Sequence, residues 1–158
     1  MSDVVVAHGA WSAGWAWKKM RPLMAALGHR LWTPTYTGLG ERAHLAGPQV
    51  DLDTHITDVV QVLEMEDLED VVLIGHSYGG MVATGVADRA PARLRRVIYL
   101  DAFVPQDGES LAALAGQAPR HMRAMAEDGW RLPPRPVPAD TPAEDRDWIS
   151  ERRMAHPV

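Results

Sequence analysis

The chain contains no cysteine. That absence excludes disulfide staples, thiolate metal centres and a cysteine nucleophile, so covalent catalysis would have to use another side chain. Phenylalanine occurs once and tyrosine three times. No apolar run approaches the roughly 18 residues that a membrane span requires. There is no basic stripe either. Lys and Arg total 16 against 21 for Asp and Glu, a net charge of -5, which leaves a nucleic-acid partner without an electrostatic footprint. Met1-Ser2-Asp3 runs straight into an apolar segment with no basic region and no cleavage site of a secretory leader, so the expected location is the cytoplasm. What is present fits about one soluble globular domain: 158 residues, 46% hydrophobic and 23% charged.

Apolar runs alternate with helical periodicity up to about Pro105, and eight of the twelve prolines lie from there onward, including Pro133-Pro134-Arg135-Pro136-Val137-Pro138. This shift predicts a core over 1–104 and a helical, Pro-rich cap segment over 105–158. Val4-Val5-Val6-Ala7 reads as a strand buried on both faces. Trp17, Met20, Met24 and Leu27 recur at helical spacing before Gly28, and a weaker strand follows over 29–35. Asp51 or Asp53 can cap a helix whose apolar face is Leu52, Ile56, Val59, Val60 and Leu63. Asp70–Ile74 is the clearest strand, a helix spans about 77–89, and Arg96–Leu100 is a fourth strand. Strands alternating with helices predict βαβ units, a parallel sheet and an α/β fold. The tail predicts short helices near 110–115 and 121–127. Another should open at Thr141-Pro142-Ala143-Glu144, which has capping-box spacing.

Gly75-His76-Ser77-Tyr78-Gly79-Gly80 follows the strongest strand and opens a helix. This is the Gly-x-Ser-x-Gly nucleophile elbow in the strand-turn-helix context it requires. A sharp turn projects the serine Oγ from the sheet edge, and side chains two positions away on either side would collide, which demands glycine. The helix N-terminus then lies where oxyanion charge develops. A phosphate-binding loop is the other Gly-rich possibility, and it fails because neither a following Lys-Ser/Thr nor G-x-G-x-x-G spacing is present. Ser77 is therefore the candidate nucleophile. An oxyanion hole takes one N–H from the residue after the nucleophile and one from the loop after the first strand. Those are Tyr78 and, after His8-Gly9, Ala10.

His8-Gly9-Ala10-Trp11 with Gly14-Trp15-Ala16-Trp17, the Gly75–Met81 segment, and Tyr99-Leu100-Asp101-Ala102-Phe103-Val104-Pro105 resemble the α/β-hydrolase superfamily. The nearest branch is similar to the plant methylesterases and hydroxynitrile lyases and their bacterial esterase relatives. The resemblance implies a parallel sheet with in-chain strand order 2-1-3-4, a serine nucleophile, and a helical cap after the fourth strand. It also implies a small hydrophobic ester as substrate, cleaved without cofactor or metal. The lyases of this branch carry Thr after His-Gly. Ala10 is similar to the esterases instead, which leaves lyase chemistry, or a non-catalytic small-molecule-binding protein, as the alternatives.

A serine needs a base, and the base an orienting carboxylate. In this fold they follow the serine as Asp or Glu and then His. Only His121 and His156 follow Ser77. A triad within the chain would take Asp101 with one of them, although neither follows a recognisable strand and His156 lies at what reads as a frayed end. The resemblance implies two further strands carrying both groups, so the 158 residues are expected to be part of a longer hydrolase. Trp11, Trp15 and Trp17 read as core rather than acyl pocket, His8 and His76 as structural, and His29, His44 and His55 as too scattered for zinc.

Overall fold

A computed structural model describes residues 1–117 and 119–157. Ala118 and Val158, both in the expected cap segment, lie outside the described residues. Four parallel strands form one sheet in the order β2-β1-β3-β4: β1 Asp3–Ala7, β2 Arg30–Trp32, β3 Val71–His76 and β4 Leu94–Leu100. The β-branched run of β1 takes the centre, where Val5, Val6 and Ala7 are wholly buried. The helices are α1 Met20–Ala26, α2 Leu52–Met65 and α3 Gly79–Arg89.

Helices α2 and α3 cover the face that presents Val5, Ala7, Val71 and Leu73, and Ile56, Val59, Leu63, Val82 and Val86 close the core against it. Asp51, not Asp53, caps α2. It accepts from the Thr54 N–H at 2.9 Å while the Thr54 hydroxyl meets the Asp51 N–H, a box that satisfies two otherwise orphaned amides. α1 lies on the opposite face, where Trp17, Met20 and Leu23 border a space shared with His76 and Leu100. Its apolar stripe is not core: Met20, Leu23 and Leu27 are exposed, as are Ile98, Tyr99 and Leu100 of β4.

After β4 the chain forms α4 Leu111–Leu114, α5 Pro119–Met125, β5 Arg131–Leu132, α6 Ala143–Ser150 and β6 His156–Pro157. β5 and β6 pair antiparallel as a separate two-stranded ribbon. The capping box expected at Thr141 does not form. Pro142 takes the N-cap position with no side-chain bond, and Arg146 donates instead to the Ala139 and Thr141 carbonyls. No helix among the described residues is long and apolar enough to cross a membrane.

Candidate active site

Ser77 sits between the end of β3 and the start of α3 with φ +53. That left-handed conformation costs a residue with a side chain about 1–2 kcal/mol and persists only when its surroundings enforce it. Three backbone bonds do so. The Ser77 N–H donates to the Asp101 carbonyl at 3.2 Å, and the Ser77 carbonyl accepts from Phe103 at 3.1 Å and Gly80 at 3.0 Å. The turn after β4 thus clamps the turn after β3. The flanking glycines have no room for a side chain. A Cβ on residue 75 would lie 2.8 Å from the Gly79 carbonyl oxygen and 2.9 Å from the Ala83 Cβ. On residue 79 it would lie 2.6 Å from the Ala7 carbonyl carbon and 2.7 Å from the His8 carbonyl oxygen.

Ala7 pairs with Gly75 across the sheet, so the loops after β1 and β3 leave it side by side. A Cβ on Gly9 would lie 3.3 Å from the Ser77 Cβ, which measures how closely the first loop crosses the serine. Ala10, Ser77 and Tyr78 form the floor of one cavity. Neither the Ala10 nor the Tyr78 N–H meets an acceptor among the described residues.

Behind the floor lies a buried network that sequence reasoning missed. The Tyr78 hydroxyl donates to His55 Nδ1 at 2.8 Å, and His55 Nε2 donates to the Thr37 carbonyl at 3.1 Å. Since a carbonyl only accepts, Nε2 carries a proton, and burial, which lowers the basicity of the ring, favours an Nδ1 that accepts from Tyr78. Tyr36 stacks between His8 and His55, with centroids 3.8 and 4.8 Å away, and its hydroxyl donates to the His8 carbonyl at 3.0 Å. The Tyr36 N–H donates to His8 Nε2 at 3.3 Å, leaving His8 Nδ1–H for the Gly9 carbonyl at 2.9 Å. The loop carrying Tyr36 is tied in turn by Asp58, which accepts from Thr37 and pairs with Arg42. Both cavity-floor loops are therefore held from beneath by uncharged rings. One signal was available: His55 falls on the apolar stripe of α2, three residues after Leu52 and four before Val59.

Burial pushes the His8 ring down to about 3 and lowers His55, while burial with the neighbouring His55 and His8 holds His156 well below 6.5. An unfolded histidine titrates near 6.5. Below that pH the unfolded chain binds protons that the folded chain refuses. The stabilisation is complete above about pH 7 and is lost as pH falls from 6.5 towards 3. Each ring contributes up to about 1.4 kcal/mol per pH unit. Between pH 7.5 and 5.5 the melting temperature is expected to drop by on the order of 10 °C. Equal melting temperatures at the two pH values would contradict this.

The cavity above Ser77 measures about 460 Å³ and is roofed by the segment after β4, with Phe103, Leu111, Met122, Met125 and Leu132 facing Ala10, Ser77 and Tyr78. His156 also lines it. The expectation of a frayed end fails here: His156 is paired in β6 and only 1% exposed, its ring edge-on to Tyr78 at 4.5 Å. Trp11 is a wall of the cavity as well, held at φ +57 with its Nε1–H on the Leu132 carbonyl at 3.0 Å and the Arg135 and Arg153 guanidinium groups 5.7 and 5.6 Å from its ring. Trp15 packs edge-on against Trp148, and Trp17 lies against half-buried His76, whose basicity burial lowers and Asp101 partly restores. Asp101 is exposed and His121 is exposed on α5. Among the described residues no histidine nitrogen is hydrogen-bonded to Ser77, and no carboxylate to His156, so an in-chain triad is not assembled.

The sequence profile of the α/β hydrolase family matches residues 4–158. The chain belongs to that family. This hydrolase is 45% identical over 164 residues to the carbendazim hydrolyzing esterase of Nocardioides sp. (strain SG-4G), an alignment covering 96% of this chain and 68% of that protein. It is 30% identical over 137 residues to methylesterase 2 of Arabidopsis thaliana, covering 80% of this chain and 48% of the relative. The fold matches an extracellular α/β-hydrolase from a Paenibacillus species with a TM-score of 0.83 at 23% identity, over 100% of this chain and 68% of that one. The chain thus spans 48% to 68% of these three proteins, and its 2-1-3-4 parallel sheet is the arrangement that the resemblance implied.

Proposed function

We propose that this chain carries the nucleophile and the oxyanion-binding groups of a serine hydrolase acting on small carboxylic esters. The observation that carries the reading is Ser77 at φ +53 between two glycines, at the floor of an apolar cavity beside two amides without acceptors among the described residues. Relatives named as esterases support it.

Ser77 Oγ attacks the ester carbonyl carbon, and its proton passes to a histidine base. The Ala10 and Tyr78 N–H groups hold the resulting oxyanion, each contributing about 3 kcal/mol to lowering the barrier. Collapse breaks the ester bond, the alkoxide leaves with the proton, and water cleaves the acyl-enzyme by the same route reversed. Among the described residues no histidine nitrogen is hydrogen-bonded to Ser77, and His8 and His55 are committed to other partners. A second reading, which follows from the absence of a histidine bonded to Ser77 among the described residues, is a pocket that binds esters without cleaving them.

A fluorophosphonate added to the native protein should attach to Ser77, read from the mass of the peptide containing it. Carbendazim and p-nitrophenyl acetate are the first substrates to assay. Ester binding with neither labelling nor turnover would establish the non-catalytic reading.

A further inference from the structure

The roof of the cavity is apolar except at a few points, and one of these is out of keeping with its burial. His156 is 1% exposed, yet neither Nδ1 nor Nε2 has a hydrogen-bond partner among the described residues. A buried polar atom without a partner costs roughly 1–3 kcal/mol, so a protein rarely keeps two on one ring unless something else fills them. The ring is not mobile at the end of a loose tail. It belongs to β6, paired with Leu132 of β5, and it packs edge-on against Tyr78 and tilted against His55 at 5.6 Å. His55 cannot serve it, because both of its own nitrogens are used by Tyr78 and Thr37. Among the described residues, the direction left open is the cavity that His156 lines together with Ser77.

We propose that His156 is a specificity-determining residue of this cavity, hydrogen-bonding an uncharged polar group of the bound ester, such as an amide or a hydroxyl, on the portion away from the scissile bond. The inference rests on the ester-hydrolase reading for what occupies the cavity, but not on turnover. A neutral imidazole offers one N–H and one lone pair, so it pairs with a donor or an acceptor but brings no charge to offset a carboxylate. The burial that keeps this ring from protonating is consistent with that role. Apolar neighbours such as Leu111 and Leu132 take up the hydrocarbon part of the ligand. A site built to hydrogen-bond a ligand discriminates strongly against an analogue lacking that group, because its own polar atoms are then left bare.

The test uses a pair of esters of equal shape, methyl 4-acetamidobenzoate and methyl 4-isobutylbenzoate, titrated calorimetrically into the native protein carrying Ser77→Ala. The amide ester is expected to bind at least about tenfold more tightly. In the same background His156→Phe, which keeps an aromatic edge on Tyr78, should bring the ratio below about threefold, and His156→Gln should restore part of it. Equal binding of the two esters before substitution, an unchanged ratio in the Phe variant, or equal weakening of both esters would each overturn the proposal. The last result would mark a packing role only. If the variants do not fold, the ring 15N shifts of His156 decide: they should move with the amide ester and not with the isobutyl ester. Because no step needs catalysis, an inert Ser77 would defeat the hydrolase reading and leave this outcome separately readable.

Discussion

Replacing Ser77 by alanine in the native protein should lower kcat on p-nitrophenyl acetate by on the order of 10⁵- to 10⁶-fold, the scale lost when a serine hydrolase loses its nucleophile. No acyl-enzyme can form without Oγ, and the only catalysis left is that of the cavity and the two amides acting on water. The fold should not suffer, because alanine pays the same left-handed penalty at φ +53 as serine does. Ser77→Gly separates the two effects. It is equally inactive, but it relieves the strain and should be more stable by about 1 kcal/mol, a rise of roughly 2–4 °C in melting temperature. Such a gain at the cost of activity is expected where a site stores strain for function. Turnover by the alanine variant within tenfold of the parent would remove Ser77 from the chemistry.

Gly79→Ala should prevent folding, although it adds one methyl group. The atoms in the way are the Ala7 and His8 carbonyl groups, which belong to backbone and not to the tip of a movable side chain. Ala7 ends the central strand and is paired with Gly75, so retreat would break the β1–β3 pairing on which the neighbouring loops depend. The cost should exceed the few kcal/mol of ordinary overpacking and approach the whole stability of a small domain. Gly28→Ala is the control. Gly28 has φ +78 but open space around its Cβ position, so it should lose only about 1 kcal/mol. Urea midpoints of the two variants give the comparison, and a Gly79→Ala protein as stable as its parent would refute the packing described.

These expectations depend on parts of the molecule that the sequence exposes well. The motif around Ser77 is contiguous: strand, glycines and helix lie within the nineteen residues from Val71 to Arg89, although the carbonyls that exclude a side chain at Gly79 come from Ala7 and His8. β1 and β3 announce themselves because their runs of Val, Leu and Ile have few other uses. What escaped is of longer range. The bond from Tyr78 to His55 spans 23 residues, and that from Trp11 to Leu132 spans 121, and neither leaves a periodic trace. β5 and β6 have two residues each, too short for alternation to register, which is why buried His156 reads as a loose end. α1 misleads in the opposite direction. Its apolar stripe is genuine, but Leu23 and Leu27 are 61% and 72% exposed, so pattern alone does not say what lies opposite. At Thr141 a favourable local motif goes unused because the helix is capped one residue later, at Pro142, which has neither a side-chain acceptor nor an N–H to complete a box.

The cavity draws its floor from the turns after β1 and β3 and most of its roof from residues beyond β4. This division makes the two halves separately tunable in directed evolution. A combinatorial library confined to Leu111, Met122, Met125, Leu132 and His156 would vary what is accepted without touching Ala10, Ser77 or Tyr78. Randomising the turns would mostly yield unfolded clones, since their glycines and buried rings leave little freedom. Diversity spent on the roof should therefore return new ligand preferences at a far higher rate per clone screened.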